Sequence, residues 1–361
     1  MLDKIIYFSI KNKLIIGIFT FALVLWGVWS ASKLPIDAVP DITNNQVQVI
    51  TTSPSLAAQE VERLITFPVE IAMANIPGLI EVRSISRFGL SVVTIVFKDE
   101  TDVYWARQQV NERLQVAIEQ IPQGVGLPKL APVSSGLGEI YQYVIHTKKG
   151  YEGKYSPMEL RTIQDWIVRR QLLGTKGVAD VSSMGGYVKQ YEISIQPDML
   201  RSMNISLAEV FTAIESNNQN TGGAYIDKSP NAWFIRTEGL ATSIQDIEEI
   251  VVKNTSNGIP ILIRNVAHVT LGSAVRYGAM TRNNEGEVVG AVVLMLKGEN
   301  SNEVIHDIKE KIEQIKKTLP EGVEIEAFLD RTHLVDRAIA TVSKNLIEGA
   351  LIVIFVLVLF L

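Results

Sequence analysis

Four histidines, His146, His268, His306 and His333, and 39 acidic residues supply the metal-ligand and proton chemistry of a chain that has no cysteine. The histidines fall in four separate predicted elements, so their spacing does not make a joint metal site. No phosphate loop, zinc-binding histidine helix or nucleophile elbow occurs, and no catalytic arrangement stands out. The densest constellation is Asp330-Arg331-Thr332-His333-Leu334-Val335-Asp336-Arg337. Its Asp, His, Asp spacing could bind a cation, but acidic residues and threonine are also what a helix start uses as caps, and capping is the favoured reading. Met199 and Met203, one helical turn apart, are soft-ligand candidates for copper or silver, with core filling as the ordinary alternative. Glu139 follows Ser134-Ser135-Gly136-Leu137-Gly138 at the junction of two repeated units. A carboxylate beside flexible glycines in a cleft suits a hard cation, set against the commoner solvated glutamate.

The elements that hold these residues begin with two apolar ends. Positions 14–31 are apolar apart from Thr20 and Ser30 and carry Trp26 and Trp29, the pattern of a spanning helix with an aromatic belt. A cleavable leader is the alternative, but the apolar core is longer than a signal core and Pro35 follows it closely. Lys4, Lys11 and Lys13 precede the helix and keep the N-terminus cytoplasmic, so roughly 33–336 is exported. Positions 3–10 either lie along the interface or extend the helix. The run from Leu346 to Leu361 is shorter than the roughly 20 residues a span needs, so a second span is expected to be incomplete here and the chain to be the front of a longer protein. The net charge of −5, without blocks of like charge, argues against nucleic acid as a partner, and the lack of cysteine excludes disulfides and thiolate metal sites.

The exported part repeats itself. Gly78-Leu79-Ile80-Glu81-Val82-Arg83-Ser84 parallels Gly177-Val178-Ala179-Asp180-Val181-Ser182-Ser183, Pro122-Gln123-Gly124-Val125 parallels Pro320-Glu321-Gly322-Val323, and Ser53-Pro54 parallels Ser156-Pro157. In the first copy the pattern predicts strand 46–52, helix 54–75 opened by Ser53 and bent at Pro68, strands 79–86 and 91–98, helix 102–120 and a final edge after Gly124. In the second it predicts strand 140–147, helix 157–173 with Ser156 and Glu159 as a capping box, strand 178–184, strand 288–296, helix 301–318 and strand 323–329. Each copy is a split βαββαβ unit with two helices on one face of an antiparallel sheet. Gly78 and Gly124 are 46 residues apart and Gly177 and Gly322 are 145 apart, so about 99 residues interrupt the second unit. That insert, roughly 188–274, is large enough for a domain. It is predicted to hold strand 190–196, helix 207–216 capped by Ser206 and Glu209, a polar turn or hairpin tip over Asn217-Asn218-Gln219-Asn220-Thr221-Gly222-Gly223, strand 233–237, a helix near 243–249 and strands 250–253 and 259–263.

Leu34-Pro35-Ile36-Asp37-Ala38-Val39-Pro40-Asp41-Ile42 and Val47-Gln48-Val49 resemble the segment after the first membrane helix of resistance-nodulation-division (RND) exporters, in the heavy-metal branch of cobalt-zinc-cadmium type. The resemblance continues through Phe67-Pro68-Val69-Glu70, Arg83-Ser84-Ile85-Ser86-Arg87-Phe88-Gly89, Thr101-Asp102-Val103-Tyr104-Trp105-Ala106-Arg107-Gln108, Ser135-Gly136-Leu137-Gly138-Glu139-Ile140-Tyr141 and Asp336-Arg337-Ala338-Ile339. Ser55, where many relatives carry glycine, departs from the pattern.

The resemblance implies an α+β chain with two membrane helices, the second truncated, around two ferredoxin-like βαββαβ porter subdomains and a docking subdomain. The expected division is 1–32 for the interfacial segment and first span, 33–135 for the first porter subdomain, 136–187 with 275–332 for the second, 188–274 for the docking insert and 333–361 for the start of the second span. The family picture is a homotrimeric, multi-pass bacterial inner-membrane proton antiporter with a large periplasmic domain, not an enzyme. It needs no cofactor, carries Zn, Co or Cd as substrate, and has a periplasmic adaptor and an outer-membrane channel as partners. Its proton-carrying acids lie beyond this segment. Glu139 matches a position where metal-branch members place a carboxylate near the metal path, and Asn217, Asn218, Gln219, Asn220 and Tyr225 match a docking tip reaching the neighbouring subunit. A copper, silver or multidrug exporter of the same superfamily and a membrane-anchored binding module are the alternatives.

Overall fold

The computed structural model describes residues 2–31, 41–237, 239–255, 257–276, 278–284 and 286–360. Leu34 to Pro40 of the family motif lie outside the described residues.

Unit one is a four-stranded antiparallel sheet of Gln46–Thr52, Leu79–Arg87, Leu90–Phe97 and Lys129–Leu130, in the order second, third, first, fourth. Val47 and Val49 alternate inward from the first strand and Val93, Ile95 and Phe97 from the third, and the second helix, Val103–Gln120, covers them with Ala106, Val110, Leu114 and Ala117. Asp102 caps that helix by accepting from the Trp105 amide at 2.8 Å.

Unit two has the same order, built from Glu139–Thr147, Val178–Met184, Val289–Met295 and Val323–Asp330. Its core joins Ile140, Tyr143 and Ile145 to Ile305, Ile308 and Ile312 of the helix Ser301–Lys316, one apolar stripe at helical spacing. Two sheets with one strand order in one chain are the structural counterpart of the sequence repeat.

The first helix of unit one departs from expectation. It begins at Ala58, not Pro54, and Ala57 stands at its N-cap with Glu60 accepting from the Ala57 amide at 3.2 Å. Ser53 cannot cap, because residues 53–56 are tied to the hairpin turn: the Ser53 amide donates to Gly89 and the Gly89 amide donates to Leu56. In unit two Ser156 does cap, accepting from the Glu159 amide while Glu159 accepts from the Ser156 amide at 2.7 Å. Both first helices contain a five-residue π turn, Glu62–Thr66 and Gln164–Val168, and in unit two the only proline of the helix, Pro157, stands at its first residue, away from the π turn. The irregularity at this point of the helix therefore belongs to the repeat and does not depend on Pro68. Each π turn points a buried polar side chain at the sheet. Thr66 lies 2.7 and 2.8 Å from the Ser86 and Ser91 hydroxyls, and Gln164 accepts from Tyr143 at 3.0 Å and donates to Ser183 at 3.2 Å.

The insert has its own core, including Leu200, Val210, Ile247, Ile261, Ile263 and Val269. Lys189–Ile195 pairs with Ala267–Ser273, a strand the alternation analysis did not predict. Two linkers join insert and unit two. The return linker, 274–288, crosses the helix-free face of the unit-two sheet: Met280 packs where a side chain at Gly290 would stand, and Arg282 makes two hydrogen bonds to Glu326, of 2.7 and 2.6 Å.

At the ends, Leu2–Lys11 and Lys13–Ala31 are separate helices broken at Asn12. Among the described residues one helix, Thr332–Phe360, is long and apolar enough to cross a membrane, and the apolar stretch Lys13–Gly27 is shorter.

Candidate functional site

Glu139 opens the first strand of unit two, with its carboxylate exposed and accepting one hydrogen bond, from Gln142 Nε2 at 3.2 Å. The loop before it is held from several sides. The Lys297 amide donates to Val133 at 3.1 Å, the Gly136 amide to the Thr43 hydroxyl at 3.3 Å, and the Met295 amide to Gly138 at 2.8 Å. Unit one and the third strand of unit two thus both grip the loop. Gly138 is buried, and a Cβ there would meet the Ser134 hydroxyl and come within 3.0 Å of the Ser135 carbonyl and 3.2 Å of the Met295 carbonyl, so a larger residue would have to displace Ser134 and press on the backbone.

The carboxylates around Glu139 are differently occupied. Asp330 forms an ion pair with Lys309 at 2.5 Å and accepts from the Thr332 amide at 2.9 Å, capping the last helix. Burial pushes its carboxyl up, but the bonds from Lys309 and Thr332 outweigh this and hold it below the ordinary value. Glu326 is fixed by Arg282, with His146 Nε2 3.1 Å away but not aligned for a hydrogen bond, and the Arg282 bonds hold it down at about 2. Both acids are engaged by cations and are poor metal ligands in this arrangement. Of the Asp330 to Asp336 constellation, Asp330 turns to Lys309 while His333 and Asp336 are exposed on the helix.

Two cavities border the loop and the linkers, and neither suits a cation. A water-sized cleft of about 20 Å³ beside residues 132–135 is lined by Arg107 and Lys297. A larger space of about 490 Å³ between unit two and the insert carries Arg161 and Arg276. Neither is lined by a carboxylate or an imidazole among the described residues, and the two arginines of the larger one are already paired with Asp165 and Glu287. Among the described residues no group of three or more His, Asp or Glu side chains converges as a metal site. Among the described residues Glu139 is thus a carboxylate whose hydrogen-bond partner is the neutral Gln142, and a metal bound there would need further ligands.

The polar stretch of the insert sits at the base of a hairpin and not at its tip. Asn217 ends the helix Leu207–Asn217 and donates to Ala213 at 2.7 Å, and Gln219 donates to Ser216 at 3.4 Å. Asn218 and Asn220 accept from the Ala241 and Gly239 amides, both at 3.0 Å, and so staple the outgoing chain to the returning one. The hairpin itself pairs Thr221–Lys228 with Asn231–Thr237, and its turn is Ser229-Pro230. Ser-Pro-Asn at 229–231 was the turn signal available in the sequence. Tyr225 lies on the hairpin, 6.1 Å from Phe234 between ring centroids, and Trp233 and Phe234 are 64% and 82% exposed.

This arrangement has close counterparts. The chain is 45% identical over its whole length to the cobalt-zinc-cadmium resistance protein CzcA of Cupriavidus metallidurans and 47% identical to protein HelA of Legionella pneumophila. It spans about a third, 34%, of the length of each. A crystal structure of a heavy metal efflux pump superposes over 97% of the chain with a TM-score of 0.85 at 34% identity, the match covering 35% of that pump. The AcrB/AcrD/AcrF family profile matches residues 5–361. The match runs over nearly the whole chain, and the chain belongs to the AcrB/AcrD/AcrF family.

Proposed function

We propose that this chain is part of a proton-driven exporter of divalent heavy-metal cations of the Zn, Co and Cd type, with Glu139 as one ligand on the metal path. The observation that carries the reading is the paired βαββαβ architecture together with a carboxylate presented at the unit junction and, among the described residues, engaged by no cation, in a chain so similar to heavy-metal efflux proteins. In this reading units one and two are porter subdomains, the insert is a docking subdomain, and Thr332–Phe360 and Lys13–Ala31 are membrane spans of a multi-pass inner-membrane protein. Oxygen ligation favours zinc, cobalt or cadmium over copper or silver. Met199 supports that choice: it is exposed, whereas Met203 packs against the insert core, so the pair does not form a joint thioether site. The remaining ligands and the proton carriers come from other parts of the protein.

The hairpin arm supports a trimer. Burying an exposed Phe stabilises by about 1.5–3 kcal/mol, and an arm that carries the exposed Trp233 and Phe234 and is packed mainly strand on strand fits a neighbouring subunit. An adaptor and an outer-membrane channel complete the assembly by family analogy.

The test is tolerance. Bacteria stripped of their own exporters and given the full-length protein are expected to survive raised zinc, cobalt or cadmium but gain nothing against organic drugs. Glu139→Ala is expected to remove most of that gain. Drug tolerance without metal tolerance would turn the reading toward a multidrug exporter.

A further inference from the structure

Arg331 brackets Glu139. Its guanidinium donates to the Leu137 carbonyl, two residues before the carboxylate, and its backbone amide donates to the Ile140 carbonyl, one residue after, at 3.3 Å. The side-chain bond is charge-assisted, the stronger kind, and it reaches across 194 positions of sequence. Arg331 also stands between Asp330, the last residue of a unit-two strand, and Thr332, the first residue of the long apolar helix. Asp330 is anchored sideways by Lys309 at 2.5 Å, so the handover point is fixed to the second helix of unit two. The loop carrying Glu139 has no comparable side-chain tie of its own to the helix Thr332–Phe360 among the bonds described.

We infer that Arg331 is a positioning residue: it sets the orientation of the Glu139 carboxylate from the root of the membrane helix, so that a shift of that helix moves the carboxylate directly. This rests on the reading of Glu139 as a metal ligand. The mechanism is geometric. A strand-opening residue whose flanking carbonyls are both held by one side chain and its own amide has little freedom, and a ligand held in place binds more tightly than one that must be ordered on binding. On its other side the same backbone is held by the third strand of unit two, whose Met295 amide donates to the Gly138 carbonyl at 2.8 Å, so the loop is gripped between that strand and Arg331.

The experiment uses the full-length protein in proteoliposomes, with zinc flux measured against zinc concentration for wild type, Glu139→Ala, Arg331→Ala, Arg331→Lys and the double Ala variant. Glu139→Ala and Arg331→Ala are each expected to raise the half-saturating zinc concentration about tenfold with the maximal rate less affected, the double variant is expected to be no worse than Glu139→Ala alone, and Arg331→Lys, which keeps a cationic donor, is expected to return within about threefold of wild type. If Arg331→Ala fails to reach the membrane, Arg331→Gln carries the same comparison, since its amide retains one donor. If Glu139→Ala weakens zinc handling but the Arg331 variant is silent, or its effect multiplies with that of Glu139→Ala, the positioning role is overturned and the ligand reading stands. If Glu139→Ala itself changes nothing, both fall.

Discussion

Glu326 shows how a single contact sets the behaviour of a longer segment. Its carboxyl ordinarily titrates near 4.5 but is held at about 2, first by the hydrogen bonds from Arg282 and then by the charges of Arg282 and His146. A carboxyl lowered on folding adds stability that is complete above its unfolded value and fades as pH falls through the folded one. The return linker 274–288 is therefore expected to stay docked down to about 4.5 and to loosen as pH falls toward 2. Hydrogen exchange of the linker amides measures this, and Arg282→Ala is expected to move the loosening to higher pH. An unchanged profile would mean that Met280 on Gly290, and not the ion pair, holds the linker. The residues of this linker could not be read from sequence. Arg282 and Glu326 are 44 positions apart and sit on no shared period, so only the register of the sheet brings them together. The same is true of Arg331 and Leu137. Glu139, by contrast, was visible, because glycines beside an acid at a repeat boundary mark a special backbone.

The elements were more legible than the contacts. Alternation and capping boxes located both βαββαβ units, since period and caps are local properties. The failures were local conflicts. Ser53-Pro54 has the same letters as Ser156-Pro157, but its backbone is claimed by the turn at Gly89. The two serines therefore make opposite predictions. Ser156→Ala is expected to cost about 1 kcal/mol, the usual loss of a cap. Ser53→Ala is expected to be neutral or slightly stabilising, because its buried hydroxyl has no hydrogen-bond partner among the described residues. Thermal unfolding of the two variants decides the matter, and equal losses would contradict the helix start at Ala58. The π turns were invisible for a different reason: a π turn inserts one residue without altering the apolar stripe enough to be read. Polar residues that must face a sheet, Thr66 and Gln164, were the available signal.

For the whole molecule the hairpin arm is the part most exposed to test. Asparagines suggested a solvated tip, yet they staple its root, and the apolar residues that follow form the arm. Phe234→Asp is expected to leave the fold intact, since this ring is 82% exposed, while reducing the trimer fraction of the full-length protein on size-exclusion chromatography. A variant that stays fully trimeric would remove the arm from the subunit interface. The large-scale division into two repeated units and an insert follows from the spacing of glycine markers, and the matching sheet orders give that spacing its physical basis. Assembly is a property of several chains and could not be read from one.

The most direct measurement is zinc flux by the full-length protein in proteoliposomes under an imposed pH gradient, compared with Glu139→Ala. Zinc movement is expected to collapse when the gradient is dissipated and to fall several-fold in the variant at low zinc. Zinc movement indifferent to the gradient, or equal in the two proteins, would contradict the proposed function.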